Sequence, residues 1–219
     1  MALNEKQVEE LFRFCEKKFV RHYDLQLELV DHLAERIEEE MALDTKLSFN
    51  EALHRVYAGF GLFGFAHIVQ DRANMLYKRN GKLWWAQVKA FFVLPKILLT
   101  LFLGLFFYQF ASYLPAEVCS IALYVAWVGG YILQIWAFRR LRKSMTKNLM
   151  LTQYLPAATS FAPFFIMQEI MFNSKFSTFP VAFAVLMVIG IIYHIAFVVV
   201  VKNLTEEAKR FYPQAFKVA

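Results

Sequence analysis

Four apolar runs fill most of the second half of the chain, at residues 97–114, 118–138, 149–172 and 179–201. An α-helix needs roughly 20 residues to cross a bilayer, and each run is long enough, the first of them only marginally. Because hydrocarbon offers no hydrogen-bond partner, a spanning segment must pair its own backbone groups, as a helix does. The pattern predicts an all-α chain with a four-helix transmembrane bundle over residues 96–202.

The sidedness of these runs follows from the positive charges between them. Residues 139–147 carry five Lys and Arg residues and no acid, whereas the turn at 114–117 carries one acid and the turn at 173–178 one lysine. Cationic segments next to membrane spans stay on the cytoplasmic side. We therefore expect a multi-pass protein of the bacterial inner (plasma) membrane, with the lipid bilayer around it and both termini in the cytoplasm.

The first part of the chain has a different composition. Up to Lys89 there are 13 Lys and Arg and 14 Asp and Glu residues, and the remainder has 11 and 4. A balanced, polar start predicts a small cytoplasmic helical bundle over residues 1–80, followed by a juxtamembrane amphipathic segment at 81–95 and a cytoplasmic tail at 203–219. No basic stripe with interleaved aromatic residues is present, so nucleic acid is not an expected partner.

Periodicity places four helices in this first module. They are expected at residues 5–21, 24–41, from Ser48 to a break at the glycines 59 and 61, and at 65–79. Leu25, Leu29, Leu33 and Ile37 recur at four-residue steps, and Ser48 with Glu51 forms a capping box. The predicted core contains Leu29, Leu33, Val56 and Phe60.

Three short stretches carry a resemblance to a known family. Residues 28–33 (Glu-Leu-Val-Asp-His-Leu), 51–53 (Glu-Ala-Leu) and 60–65 (Phe-Gly-Leu-Phe-Gly-Phe) are similar to the permease-prefix (HAAS, PadR-associated) domains of bacterial membrane proteins, and more closely to small membrane proteins of Bacteroidetes. The resemblance covers about residues 20–75. It implies a cytoplasmic helical domain ahead of a few membrane helices, and it brings no catalytic residue. The proline usual in the family is replaced here by Phe63 and Gly64.

The second helix carries a cluster of acids with one histidine. Glu28 and His32 are four residues apart, as are Asp31 and Glu35, so each pair shares a helix face. This face is interpreted as solvated or as a docking surface for a cytoplasmic partner such as a regulator or an ATPase. A metal site is the alternative, but the His-Glu-x-x-His order of a zinc helix is absent.

Polar and small residues inside the apolar runs suggest further contacts. His194, Gln153 and Gln134 fall at similar depths near the inner ends of three runs, which predicts a polar layer facing the bundle interior. That layer is either hydrogen-bonded glue between helices or a proton- or ligand-sensitive site. Ala122, Ala126 and Gly130 form a small-residue line that allows close packing within the chain or between two copies.

Two functions remain open at this point. No nucleophile–base pair, phosphate loop or metal motif is present, so neither a catalytic residue nor a cofactor nor a metal is expected. The first interpretation is a non-enzymatic regulatory, sensing or docking protein that acts through its cytoplasmic domain. The alternative is a small transporter or permease subunit with a polar path along the third run, where Pro156 and Pro163 place two kinks on one face.

Overall fold

A computed structural model describes residues 3–153 and 180–217 of the chain. Over these two ranges the regular structure consists of α-helices and short 3-10 turns, without a β-strand, which confirms the all-α prediction. The seven α-helices of these ranges are α1 (Glu5–Lys17), α2 (Tyr23–Leu43), α3 (Phe49–Ala58), α4 (Ala66–Ala90), α5 (Lys96–Ser112), α6 (Ala116–Ser144) and α7 (Pro180–Phe211).

The described residues divide into two compact units. The first unit contains residues 3–76, 145–153 and 208–217, and the second contains residues 77–144 and 180–207. The first unit is therefore larger than the predicted 1–80 module, because it also takes in two later segments of the chain. One of these follows α6, and the other contains the end of α7 and the tail.

The core of the first unit forms where α1, α2 and α3 pack together. Leu29, Leu33 and Val56 are buried as predicted, while Phe60 is half-buried. Phe60 instead borders an aromatic group in which its ring lies 4.9 Å from the ring of Phe65 in an edge-to-face arrangement. Aromatic pairs of this geometry add stability beyond their buried area. The four-residue stripe of α2 thus faces the core along its whole length.

Local sequence signals set the start of α3. The Ser48 side chain accepts a hydrogen bond from the backbone N–H of Glu51, and the Glu51 carboxylate accepts one from the backbone N–H of Ser48. The predicted capping box is confirmed. The hydrogen bonds from Ser48 lower the pKa of Glu51, since they stabilise its charged form.

The loop after α3 requires glycine at two positions. Gly61 and Gly64 have positive φ angles of 72° and 51°, which residues with a side chain rarely adopt. A Cβ atom on Gly64 would lie only 2.2 Å from the Tyr57 hydroxyl oxygen. Proline, fixed near a φ of −65°, cannot occupy this position. The loop therefore requires glycine at position 64.

Two of the described helices, rather than four, are long and apolar enough to cross a membrane. They are α6 and α7, judged by length and composition, while α5 is a shorter apolar helix of 17 residues.

Most of the third apolar run, including Pro156 and Pro163, lies outside the described residues. Its expected start at Leu149 is wrong, because Met150–Thr152 forms a buried 3-10 turn within the first unit.

Two helices, α4 and α6, continue well beyond their predicted ends. α4 passes through Gly81 to Ala90, because one glycine costs a helix only about 1 kcal/mol. α6 extends to Ser144 and so includes most of the cationic stretch, whose arginines and lysine are good helix formers and favour a helix C-terminus. These two helices therefore replace parts of the predicted juxtamembrane segment and cationic loop.

The last helix continues into the segment predicted as a cytoplasmic tail, residues 203–219. α7 is continuous from Pro180 to Phe211, and the Thr205 hydroxyl donates to the backbone carbonyl of Val201 at 2.6 Å. Threonine often bonds back to the carbonyl four residues earlier when it lies inside a helix. In the second unit, Arg79 of α4 forms an ion pair with Glu207 of α7.

Candidate functional site

A buried carboxylate at the start of α2 holds the segment that follows α6. Asp24 is 5% exposed, and its two oxygens accept the backbone N–H groups of Met150 at 2.8 Å and Leu151 at 2.9 Å. These N–H groups begin a 3-10 turn and have no partner inside that turn. Asp24 therefore caps a turn that lies 126 residues later in the chain. We call this arrangement, Asp24 with Met150 and Leu151, the Asp24 clamp.

Neighbouring residues reinforce the Asp24 clamp. The Tyr23 backbone N–H donates to the carbonyl of Asn148 at 2.9 Å, and the Lys147 ammonium lies 3.7 Å from the centre of the Tyr23 ring. The Nε2–H group of His22 donates to Oε1 of Gln153 at 2.7 Å. An ammonium so close to an aromatic face is attracted by the ring quadrupole. Lys147, one of the five cations of residues 139–147, therefore makes its contact within the first unit.

The chain's last described segment joins the same region. The N–H group of Thr146 donates to the carbonyl of Ala215 at 2.8 Å, and Met145 and Phe216 form an antiparallel bridge. Residues 145–153 therefore bind both the start of α2 and the tail. Sequence reasoning missed Asp24 because an acid in the first turn of a helix is common and is favoured there by the helix dipole.

The predicted acidic face lies on the solvent side of α2. All four residues of this face are exposed, namely Glu28, Asp31, His32 and Glu35. The apolar stripe on the opposite side of α2, described above, is buried. Glu28 pairs with Arg72 at 3.4 Å. Within residues 3–153 and 180–217, the structure places no cluster of three or more His, Cys, Asp or Glu residues that could hold a metal ion. We call these four residues the acidic face.

In the second unit, α6 and α7 pack by fitting a ring of each helix against a glycine of the other. A Cβ atom on Gly130 would lie 2.2 Å from the His194 ring, and one on Gly190 would lie 2.7 Å from Nε1 of Trp127. Both contacts are within one chain. Gly130, predicted as part of a small-residue line, thus serves packing between these helices, and the proposed pairing of two copies stays a prediction.

This contact makes Gly130 sensitive to a single methyl group. Gly130→Ala is expected to destabilise the protein by about 1–3 kcal/mol, because the His194 ring must move. Gly129→Ala is the matched control, since a Cβ atom there meets nothing within 4 Å. Thermal unfolding of both variants in detergent micelles measures the difference. Equal melting temperatures for the two variants would contradict the packing.

The three residues of the predicted polar layer have different neighbours. His194 lines a cavity of about 260 Å³ with Trp127, Gly130 and Gly190. Gln134 is 2% exposed and lines a separate cavity. Gln153 hydrogen-bonds with His22 in the first unit. The ring nitrogens of His194 and the amide of Gln134 are buried and unpaired in the described parts of the chain. A layer shared by all three stays a prediction.

The chain matches no family model, no curated protein and no solved structure.

Proposed function

We propose that the chain is a four-span protein of the bacterial inner membrane, with both termini and residues 145–153 in the cytoplasm. The chain segments that form the first unit support this proposal. Because three separate segments belong to one compact unit, we expect them to lie on the same side of a membrane. An even number of crossings must then separate residue 76 from 145, and likewise 153 from 208.

The need for an even number of crossings gives α5, the shorter apolar helix, a role in the proposal. α6 supplies one crossing in the first interval and α7 one in the second. α5 supplies the other crossing of the first interval, since its 17 residues give a helix of about 26 Å. A slightly short helix is accommodated by local thinning of the bilayer. For the second interval, the sequence predicts the remaining crossing within the third apolar run, most of which lies outside the described residues.

The proposed activity of this protein is non-enzymatic. Its cytoplasmic unit docks a regulatory protein or an ATPase through the acidic face and couples that partner to the membrane helices. The observation that carries the proposal is the placement of α2, which presents four exposed polar side chains on one side and holds the segment after α6 through the Asp24 clamp. A partner that recognises the acidic face would carry a complementary basic surface.

Site-specific photocrosslinking tests the docking proposal. A photoreactive residue at Asp31 or Glu35, in cells that produce the protein natively, is expected to capture one partner. The same residue at the exposed Glu10 of α1 is the control and should capture none. Replacing Glu28 and Asp31 with lysine should abolish capture from position 35. Equal capture from Glu10 and Glu35, or none from either, would contradict the proposal.

Cysteine labelling tests the sidedness. With both native cysteines replaced by alanine, a maleimide that cannot cross membranes is expected to label Tyr113→Cys in intact cells and to label Asn148→Cys only after permeabilisation. Both positions are exposed, and residue 113 follows α5 on the predicted outer side. The replaced thiols are buried in the native protein, where burial raises the pKa of Cys15 to about 12, so labelling of the unaltered protein is a low-background control. The reverse labelling pattern would contradict the topology.

One observation favours transport as a second candidate. The cavity beside His194 contains two buried polar side chains, those of His194 and Trp127, that find no hydrogen-bond partner among the described residues. Unpaired polar groups at a cavity inside a membrane helix pair are suited to a passing solute. Solute flux in proteoliposomes that contain only this protein, lost in His194→Ala, would favour transport over docking.

A further inference from the structure

The second cavity of the α6–α7 pair lies at the cationic end of α6. It has a volume of about 280 Å³ and is lined by five residues of α6 and one of α7, namely Gln134, Ile135, Phe138, Arg139, Arg142 and Phe197. The α6 residues share a face, because positions three, four and seven apart lie above one another on a helix. The cavity thus combines two arginines, an amide and apolar walls.

The two arginines of this cavity are available for a ligand. Arg139 and Arg142 are exposed and form no ion pair with an acid anywhere in residues 3–153 or 180–217. The neighbouring Arg140 differs, since its guanidinium lies over the Trp136 ring at 5.3 Å. Arginine presents a planar fork of N–H donors that matches the oxygens of a phosphate. The cavity therefore has a cationic mouth that favours a phosphate group.

The wall of the cavity holds a polar group that is unsatisfied. The amide oxygen and nitrogen of Gln134 are both buried, and neither has a hydrogen-bond partner among the residues that the structure covers. A buried amide without a partner costs free energy, so a ligand that pairs with it gains affinity. Gln134 lies five residues before Arg139, which places it about 7.5 Å deeper along the helix axis.

We propose that this cavity binds an acidic phospholipid of the inner leaflet. The phosphodiester oxygens accept hydrogen bonds from Arg139 and Arg142, and an ester carbonyl just below the phosphate accepts one from the Gln134 amide. The acyl chain lies against Phe138 and Phe197. The apolar walls favour a lipid over a free phosphate, which would leave them in contact with water. The site rests on the proposed membrane topology for its position in the inner leaflet.

Equilibrium binding of labelled lipids to the full-length protein in mixed micelles tests the site. A scintillation proximity assay compares phosphatidylglycerol with phosphatidylcholine of the same acyl chains. Phosphatidylglycerol is expected to bind at least about fivefold more tightly, and a large excess of glycerol 3-phosphate should not displace it. Equal affinity for the two lipids would overturn the proposal. Displacement by glycerol 3-phosphate would show a free phosphate ester to be the ligand and would also overturn it.

Three variants assign the binding to this cavity. Arg139→Gln with Arg142→Gln is expected to weaken phosphatidylglycerol binding by about fivefold for each arginine. Phosphatidylcholine binding should fall by less, because the choline cation offsets the attraction between its phosphate and the two guanidinium groups. Arg140→Gln is the matched control and should stay within about twofold of the unaltered protein. An equal loss in Arg140→Gln would show a diffuse charge effect and overturn the site. Gln134→Leu should weaken both lipids, and gel filtration establishes that each variant is folded.

The comparison of the two lipids uses the unaltered protein, so it decides the proposal even if a variant fails to fold. Micelles have no sides, and binding in them is independent of topology. Failure of the cysteine labelling would therefore remove the inner-leaflet assignment and leave the lipid site, whereas failure of lipid binding would leave the topology.

Discussion

Asp24→Ala is expected to destabilise the first unit by about 2–6 kcal/mol. The substitution removes the acceptor of two buried backbone N–H groups, those of Met150 and Leu151, and each buried donor left unpaired costs about 1–3 kcal/mol. The loss of stability in Asp24→Asn should be smaller than in Asp24→Ala. In the native protein the two N–H groups bond to different carboxylate oxygens, and asparagine keeps only one oxygen that can accept. Thermal unfolding of the full-length protein in micelles measures the loss.

Hydrogen–deuterium exchange localises the effect of Asp24→Ala. Peptides covering residues 145–153 should lose protection, while peptides from α3 should keep most of theirs, because the clamp holds only the former segment. Asp31→Ala is the matched control. It removes an exposed acid of the same helix and should change stability by less than about 0.5 kcal/mol. Unchanged exchange at residues 149–152 in Asp24→Ala would disprove the Asp24 clamp.

Leu33→Ala is expected to cost about 2–5 kcal/mol, the range for a leucine truncated in a packed core. The side chain of Leu33 is 0% exposed and lies in the middle of the buried stripe of α2. Truncation removes the transfer free energy of its methyl groups and leaves a cavity. Chemical unfolding of the full-length protein, followed by circular dichroism, measures this cost.

The same helix contains a matched control for Leu33. Leu43 is the last residue of α2 and is 86% exposed, so Leu43→Ala changes the same residue type without opening a cavity. We expect its effect to stay below about 0.5 kcal/mol. A cost for Leu33→Ala as small as that for Leu43→Ala would remove Leu33 from the core.

The sequence predicted those parts of the fold that depend on neighbouring residues. The four-residue stripe of α2 and the capping box at Ser48 were both identified because helical periodicity and capping act within a few residues. The exposure of the acidic face followed from the same periodicity, since the opposite side of α2 carries the stripe. Whether that face binds a partner stays a prediction.

Helix ends were predicted less well, because the residues at those ends satisfy two rules at once. Thr205 is a good N-cap residue and is equally able to bond back to Val201 inside a helix. The arginines after Phe138 indicate a cytoplasmic segment, but they are also strong helix formers. In both places the chain is helical, and α6 and α7 therefore extend past the apolar residues from which they were predicted.

The Asp24 clamp was not predictable from local pattern. Nothing near Asp24 indicates that its partners are backbone N–H groups 126 residues away, because backbone donors carry no sequence signature. Gln153 illustrates the same limit. Its polarity predicted a partner in the membrane, whereas its side chain bonds with His22, the residue that precedes α2.

The separation between Asp24 and Met150 also sets an order of events during synthesis. A ribosome that adds roughly 5–20 residues per second needs about 6–25 s to translate the 126 residues between them. Throughout that interval Asp24 lacks the backbone donors of Met150 and Leu151, and the first unit is incomplete. It is completed only after residues 145–153, which follow α6, have emerged from the ribosome. Chaperones and proteases that bind incompletely folded chains can therefore reach the first unit until residues 145–153 have been synthesised and have bound Asp24.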